Sequence, residues 1–299
     1  MAGALSSSER SNVVRLGAHM SIAGGVDQAV WRGQSVGCDT VQIFVKSPNR
    51  WAPRPLPADE IERFHQAMEE TGIHPVFAHD SYLNNVGSPD EALWDKSLSS
   101  LMEEVEHSEA LGLPYLVMHP GAHMDAGAEE GIARIARALD TVHARTPGYK
   151  VRILLENTAG QGTVLGGRFE ELRQIIERVK EHGRLGVCFD TCHAFAAGYD
   201  LRTREAYEAV MQELDAAVGL KRVLAFHLND SAGKLGGHRD RHAHIGQGQL
   251  GLDAFRWLLN DPRWRDRPMV IETDKSPDMH EDVENLARLR SLIDVKRDA

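Results

Sequence analysis

Asp190 and His193 stand three residues apart at the end of an apolar run, in the stretch Val187-Cys-Phe-Asp-Thr-Cys-His-Ala-Phe-Ala-Ala-Gly198. A carboxylate and an imidazole in such a place are the side chains that hold divalent metals. Asp190 is not alone in its position. Reading along the chain, apolar runs of strand length also end in His79, His119, Glu156, His227 and Glu272. One histidine at a strand end is usually a hydrogen-bonded structural residue. Six acidic or imidazole side chains converging on one mouth would instead need counter-charges, and divalent metals are the simplest. Three imidazoles with three carboxylates suit Zn²⁺ or Mn²⁺ better than Mg²⁺ or Ca²⁺, which prefer oxygen throughout.

The elements that would bring them together follow from periodicity. Leu185 to Phe189 reads as a buried strand, with Asp190 at its C-terminal end and His193 on the loop beyond. Val13–Ala18, Cys38–Val45, Ile73–Ala78, Tyr115–Met118, Val151–Leu155, Val223–Phe226 and Met269–Ile271 are the other strands. Between them lie helices over about 26–36, 59–70, a segment opened by Ser88 as N-cap with Pro89 at the first helical position, a stretch marked by Ile132, Ile135, Ala136 and Leu139, one carrying Phe169, Leu172, Ile176 and Val179, then 203–218, 252–259 and 281–292. Eight strand–helix alternations predict a single parallel (β/α)8 barrel of the TIM type over 13–294, with tails at 1–12 and 295–299 and the site at the C-terminal ends of the strands.

A second cluster, His238-Arg-Asp240-Arg-His242-Ala-His244, falls in the long loop after the seventh strand. Asp240 and His242 are spaced so that an extended segment points both the same way, and with His193 they could complete a third metal site. His238 and His244 share that parity, so spacing does not choose among them. Cys192, a lone thiol beside a buried strand, reads as packing.

Composition limits the function classes. A formal charge of −10 excludes a protein that coats nucleic acid by bulk electrostatics, though not one with a local cationic site. No apolar stretch reaches membrane-spanning length and Met1 to Ser11 lacks an apolar signal core, so neither a membrane nor a secretory role is expected. The three cysteines, Cys38, Cys188 and Cys192, form no CxxC pair and fit reduced thiols in the cytoplasm.

From about Leu16 to Leu292 the chain closely resembles the endonuclease IV family of apurinic/apyrimidinic DNA repair enzymes. The resemblance is carried by Gly17-Ala-His-Met-Ser21, His79-Asp-Ser-Tyr-Leu83, His119-Pro-Gly121, Glu156-Asn-Thr-Ala-Gly-Gln-Gly162, Phe189-Asp-Thr-Cys-His-Ala-Phe-Ala-Ala-Gly198, His227-Leu-Asn-Asp-Ser231 and Asp240-Arg-His242. It implies a TIM barrel with three metals, usually zinc. His79 and His119 would bind one ion, Glu156 would bridge it to a second completed by Asp190, His227 and Glu272, and His193, Asp240 and His242 would hold the third. It implies cleavage on the 5′ side of abasic sites, trimming of blocked 3′ ends, and double-stranded DNA as partner; a monomer is expected. Metals so placed would make the site positive while the whole protein stays negative, confining DNA contact to one face.

Tyr82 and Leu83, just past His79, are the expected wedge into the gap at an abasic nucleotide. The family usually carries an arginine two residues before the tryptophan of the other loop; here that position is Asn49, and Arg50 follows it before Trp51. Arg50 is expected to reach in from its shifted place. Two rivals remain at this level. A metal-dependent sugar isomerase on a similar barrel has no use for the third site or for Tyr82-Leu83, and a protein that only binds abasic DNA has no use for a complete ligand set.

Overall fold

The computed structural model describes residues 14–52 and 54–294. Its centre is a closed barrel of eight parallel strands: β1 (Arg15–Met20), β2 (Thr40–Phe44), β3 (Val76–His79), β4 (Tyr115–Met118), β5 (Arg152–Glu156), β6 (Leu185–Asp190), β7 (Val223–His227) and β10 (Pro268–Ile271). β1 pairs with β2 on one side and with β10 on the other, which closes the ring. Around it lie α1 (Val26–Ser35), α2 (Ala58–Thr71), α3 (Glu91–Ala110), α4 (Ala128–Arg145), α5 (Phe169–Arg178), α6 (Thr191–Ala197), α7 (Arg204–Val218), α8 (Leu252–Leu259) and α9 (His280–Ser291). The expected tails at 1–12 and 295–299, and the start of the first strand at Val13, lie outside the described residues. Among the described residues no helix is long and apolar enough to cross a membrane.

Side-chain parity sorts the strands into two cores. Ala78, Leu116, Met118, Ile153, Leu155, Val187, Phe189, Phe226, Met269 and Ile271 join the large core beneath the helices. Phe77, Val117, Leu154, Cys188, Leu224, Ala225 and Val270 form a separate cluster inside the barrel. Alternation then turns the residue two places further along each strand inward as well, one layer nearer the C-terminal mouth. Those residues are His79, His119, Glu156, Asp190, His227 and Glu272. The period of the strand, set by its apolar members, is what aims the six polar side chains at one point.

Two local expectations are corrected. His193 is not on a loop: it lies in α6, a seven-residue helix directly after β6. Asp190 causes this, because its carboxylate accepts the His193 backbone N–H at 2.7 Å and so caps the helix that carries its neighbour. Strict strand–helix alternation is therefore broken here, with α6 and α7 both following β6. Ser88 does not cap α3 either. Asp90 does, accepting from the Leu93 N–H, while the Ser88 hydroxyl accepts from the Asp90 N–H and shapes the turn before it.

The loop after β7 is folded, not loose. A two-residue antiparallel ribbon pairs Asp230–Ser231 (β8) with His242–Ala243 (β9). The buried Asp230 carboxylate accepts backbone N–H groups from Ser231, Gly246, Gly248 and Leu250, which gathers both arms of the loop onto one anion.

Candidate metal centre

Glu156 is fully buried at the centre of the mouth. Its Oε2 lies 3.1 Å from His79 Nε2 and 3.2 Å from His119 Nε2, and its Oε1 lies 3.0 Å from His227 Nδ1 and 3.0 Å from His193 Nδ1. Each carboxylate oxygen thus faces a different pair of imidazoles. His227 Nδ1 is also 3.1 Å from Glu272 Oε2 and 3.8 Å from Asp190 Oδ2. Two sets of ligand atoms, His79–His119–Glu156 and Glu156–Asp190–His227–Glu272, each fall within 4.8 Å of one another and share Glu156.

Beside them, Asp240 Oδ1 lies 3.2 Å from His242 Nε2 and Oδ2 lies 3.2 Å from His193 Nε2. Asp190 comes within the same 4.8 Å of His193 and His242, so it is placed to serve two groups where the family resemblance implies one. Of the loop histidines, His242 is the one beside Asp240. His238 Nδ1 is held by the Ala159 carbonyl at 3.0 Å and His244 Nδ1 by the Asn285 amide at 3.0 Å, both away from this group. Cys192 is buried with its Sγ against the Arg241 carbonyl, and burial pushes its thiol up to about 12, as suits packing. It nevertheless stands within 4.8 Å of the Asp240 and His242 ligand atoms.

The donor set fits metal ions better than it fits protons. In a tetrahedral zinc site with bonds near 2.0–2.1 Å, neighbouring ligand atoms stand roughly 3.3 Å apart, which is about the spacing observed here. The rings are also pinned from behind: His79 Nδ1 by the Asp80 carbonyl at 2.8 Å, His193 Nδ1 by the Asn157 carbonyl at 3.0 Å, His242 Nδ1 by the Glu272 carbonyl at 3.1 Å and His227 Nε2 by Gln42 Oε1 at 2.7 Å. A proton placed on each of these atoms leaves the other nitrogen with a free lone pair toward the carboxylates. His193 Nε2 and His242 Nε2 are buried and make no hydrogen bond, although a carboxylate oxygen is near.

Electrostatics point the same way. Burial disfavours charge on His79 and His242, but Glu156 for the first and Asp240 for the second outweigh it and hold both imidazoles up at about 9. Burial alone would keep Glu156 protonated, yet His227 and His119 hold it well below the usual carboxylate range. The cluster is a field built to attract positive charge, and divalent cations meet that demand without protonating the ligands.

Several residues that position this group were given no role by sequence. Asn229 donates to Asp190 Oδ2 at 2.7 Å and accepts from the Glu272 N–H at 2.8 Å; Asn157 exchanges two hydrogen bonds with the Asp190 backbone. Gln42 joins His227 to Glu272 from β2, where its register partner is His19. A fully buried glutamine between Val41 and Ile43 was the available signal, because an amide in an apolar strand must have partners. Gly17, in the first quoted motif, lets β1 approach β2 this closely: a Cβ there would sit 1.7 Å from the Thr40 carbonyl oxygen.

At the rim, Tyr82 is 63% exposed, its ring edge-on to Phe44 at 5.2 Å, and Leu83 is half-buried beside it. Arg50 is exposed on the neighbouring loop and, among the described residues, makes no ion pair. A cavity of about 80 Å³ opens beside Tyr82, lined by His79, Tyr82, His119, His193, Asp240, His242 and Glu272. A larger cleft of about 490 Å³ between α7 and α8 holds no such set; its Arg263 is already paired with Asp261 and Glu208.

Comparison with known proteins bears on the whole chain. Residues 32–292 match a family model described as a xylose isomerase-like TIM barrel. A probable endonuclease 4 of Chloroflexus aurantiacus is 53% identical over 279 residues, covering 93% of this chain and 98% of that protein. One from Trichlorobacter lovleyi is 47% identical over 93% of this chain and 99% of its own length. The crystal structure of endonuclease IV from Thermus thermophilus is 42% identical and superposes with a TM-score of 0.82, covering 93% of this chain and 98% of that one. A D-tagatose 3-epimerase-like protein reaches a TM-score of 0.71 at 19% identity, a likeness of fold alone.

Proposed function

The chain belongs to the endonuclease IV family, and on that premise we propose that it hydrolyses the phosphodiester 5′ to abasic sites in double-stranded DNA, leaving a 3′-hydroxyl and a 5′ deoxyribose phosphate, and that it trims blocked 3′ ends. The observation that carries this reading is Glu156, buried with one oxygen toward His79 and His119 and the other toward His227. A carboxylate so placed could be shared between two ions. The cofactor would be three Zn²⁺ per chain, with Mn²⁺ admissible in one or more sites: His79 and His119 for the first, Asp190, His227 and Glu272 for the second, Glu156 between them, and His193, Asp240 and His242 for the third. Bound there, divalent ions supply charge against the phosphate and bring the pKa of water down to about 7.

The chain's own part is positioning. Glu156 and Asp190 sit within the barrel wall, so their oxygens cannot retreat when a phosphate approaches, and the carbonyls and amides behind the imidazoles keep a lone pair on the inner face of each ring. Tyr82 and Leu83 fill the space of the missing base, and the guanidinium of Arg50 reaches a neighbouring base or phosphate. The working form is a cytoplasmic monomer; its three cysteines are free and buried, as a reducing compartment keeps them.

End analysis of the cut strand tests the reaction. A 3′-hydroxyl with a 5′ deoxyribose phosphate is expected, and 3′-unsaturated aldehyde ends, the mark of lyase chemistry, would overturn it. The loop assignment has its own test at fixed salt. Arg50→Ala and Tyr82→Ala each raise KM for an abasic duplex by about tenfold, whereas Asn49→Ala stays close to the parent. Parent-like kinetics in Arg50→Ala alongside a failing Tyr82→Ala would leave the wedge to Tyr82 and Leu83 alone.

A further inference from the structure

The two loops at the rim are tied together from below by a buried polar knot. Lys46 begins the loop that carries Arg50, but its side chain is only 2% exposed and turns inward, away from any DNA. Its Nζ donates to Glu103 Oε2 at 2.8 Å and to Ser100 Oγ at 2.8 Å, both on α3, and stands 3.5 Å from Glu104 Oε1. Glu104, 1% exposed on the same helix, accepts the Ser81 N–H on both oxygens at 3.3 and 3.2 Å, the Ser100 hydroxyl on Oε1 and the Asn84 amide on Oε2. Ser81 closes the knot, since its hydroxyl donates to the Pro48 carbonyl at 2.6 Å and accepts the Leu83 N–H. One carboxylate therefore holds the residue before Tyr82, and through Lys46 and Ser81 it holds the base of the Arg50 loop.

We infer that Glu104 is a positioning residue for DNA engagement: its buried carboxylate fixes the Tyr82–Leu83 loop and the Lys46–Trp51 loop relative to each other. This rests on the reading that those loops meet an abasic duplex. A buried carboxylate beside a buried ammonium is not retained for stability alone, since such pairs gain little over well-packed apolar residues. What it supplies here is direction, for a carboxylate can gather several donors at one point. Each Glu104 oxygen faces at least one group that can only donate, the Ser81 N–H on both and Lys46 on Oε1. In Glu104→Gln the new NH₂ meets Lys46 in one orientation and the Asn84 NH₂ in the other, with the Ser81 N–H against it in both, and only the Ser100 hydroxyl can turn to accept from it. The substitution preserves volume and removes the hold.

The experiment compares two substrates in the metal-loaded protein. For Glu104→Gln, KM on an abasic duplex rises about tenfold with kcat within about twofold, while hydrolysis of bis(p-nitrophenyl) phosphate, which needs the metal centre but no wedge, and the bound metal content match the parent. The fluorescence rise of 2-aminopurine beside the abasic site, which reports opening of the stack, shrinks in step. Lys46→Met and Ser81→Ala give the same signature and serve if Glu104→Gln does not fold. Folded variants with parent-like KM overturn the inference, as does an equal fall on both substrates with loss of metal, which would make the knot merely structural. A parent that cuts no abasic duplex defeats the functional reading first and this inference with it; a parent that cuts while the variants match it defeats the inference alone.

Discussion

Glu156→Gln lowers kcat on an abasic duplex by about two orders of magnitude or more and leaves KM within about threefold. The effect is large because Glu156 places one oxygen 3.1 Å from His79 Nε2 and the other 3.0 Å from His227 Nδ1, so that both oxygens are placed to serve as ligands in the proposed centre. The amide keeps the shape but offers one oxygen, and its NH₂ turns hydrogens toward a cation. DNA affinity is set mainly at the rim, by residues that Glu156 does not touch. Steady-state kinetics with metal content measured on the same preparation check this. A fully loaded Glu156→Gln protein with the kcat of the parent removes Glu156 from the mechanism.

The second large effect is on metal content. Nine candidate ligands, with Glu156 and Asp190 each placed to serve two groups, would make about three sites, so elemental analysis of the parent is expected to give about three transition-metal ions per chain. Asp240→Ala combined with His242→Ala lowers that to about two, because Asp240 stands 3.2 Å from both His193 Nε2 and His242 Nε2 and the double change removes two of the group's three expected ligands. His238→Ala and His244→Ala leave it unchanged, since those rings are engaged with Ala159 and Asn285. A parent value near two that the Asp240→Ala/His242→Ala protein shares would contradict the three-ion assignment.

The main lines of this site were legible because strand periodicity is a local property. Phe77, Val117, Leu154, Cys188 and Val270 announce strands, and the polar residues two places on, from His79 to Glu272, inherit their inward direction. What stayed hidden depends on contacts between distant segments. The spacing of Asp190 and His193 is as compatible with a loop as with α6, and the capping bond that decides it is a matter of geometry. Likewise Ser88 and Asp90 are equally good caps by residue type, and only the fold shows which backbone N–H each meets. Asp230, Asn157 and Asn229 stood inside recognised motifs without a role, because gathering four amides or bridging Asp190 to Glu272 involves residues far apart in sequence. Lys46 shows the opposite hazard: in a loop beside Arg50 it looks like a phosphate contact, yet its charge is spent on α3.

The sugar-isomerase alternative shares the barrel, as the 19% identical epimerase-like structure shows, and a barrel by itself carries no function. The distinguishing features are on this chain: the group around His193, Asp240 and His242, and the exposed Tyr82 at the mouth. A binding protein without chemistry would have no reason to bury Glu156 among four imidazoles.

The most direct measurement is incision of a duplex carrying a single abasic site before and after removal of metal. The protein as purified cuts 5′ to the lesion, prolonged treatment with a strong chelator abolishes cutting, and added Zn²⁺ restores it. Undiminished incision by protein shown to be metal-free would contradict the account, as would isomerisation of a sugar in place of any cut.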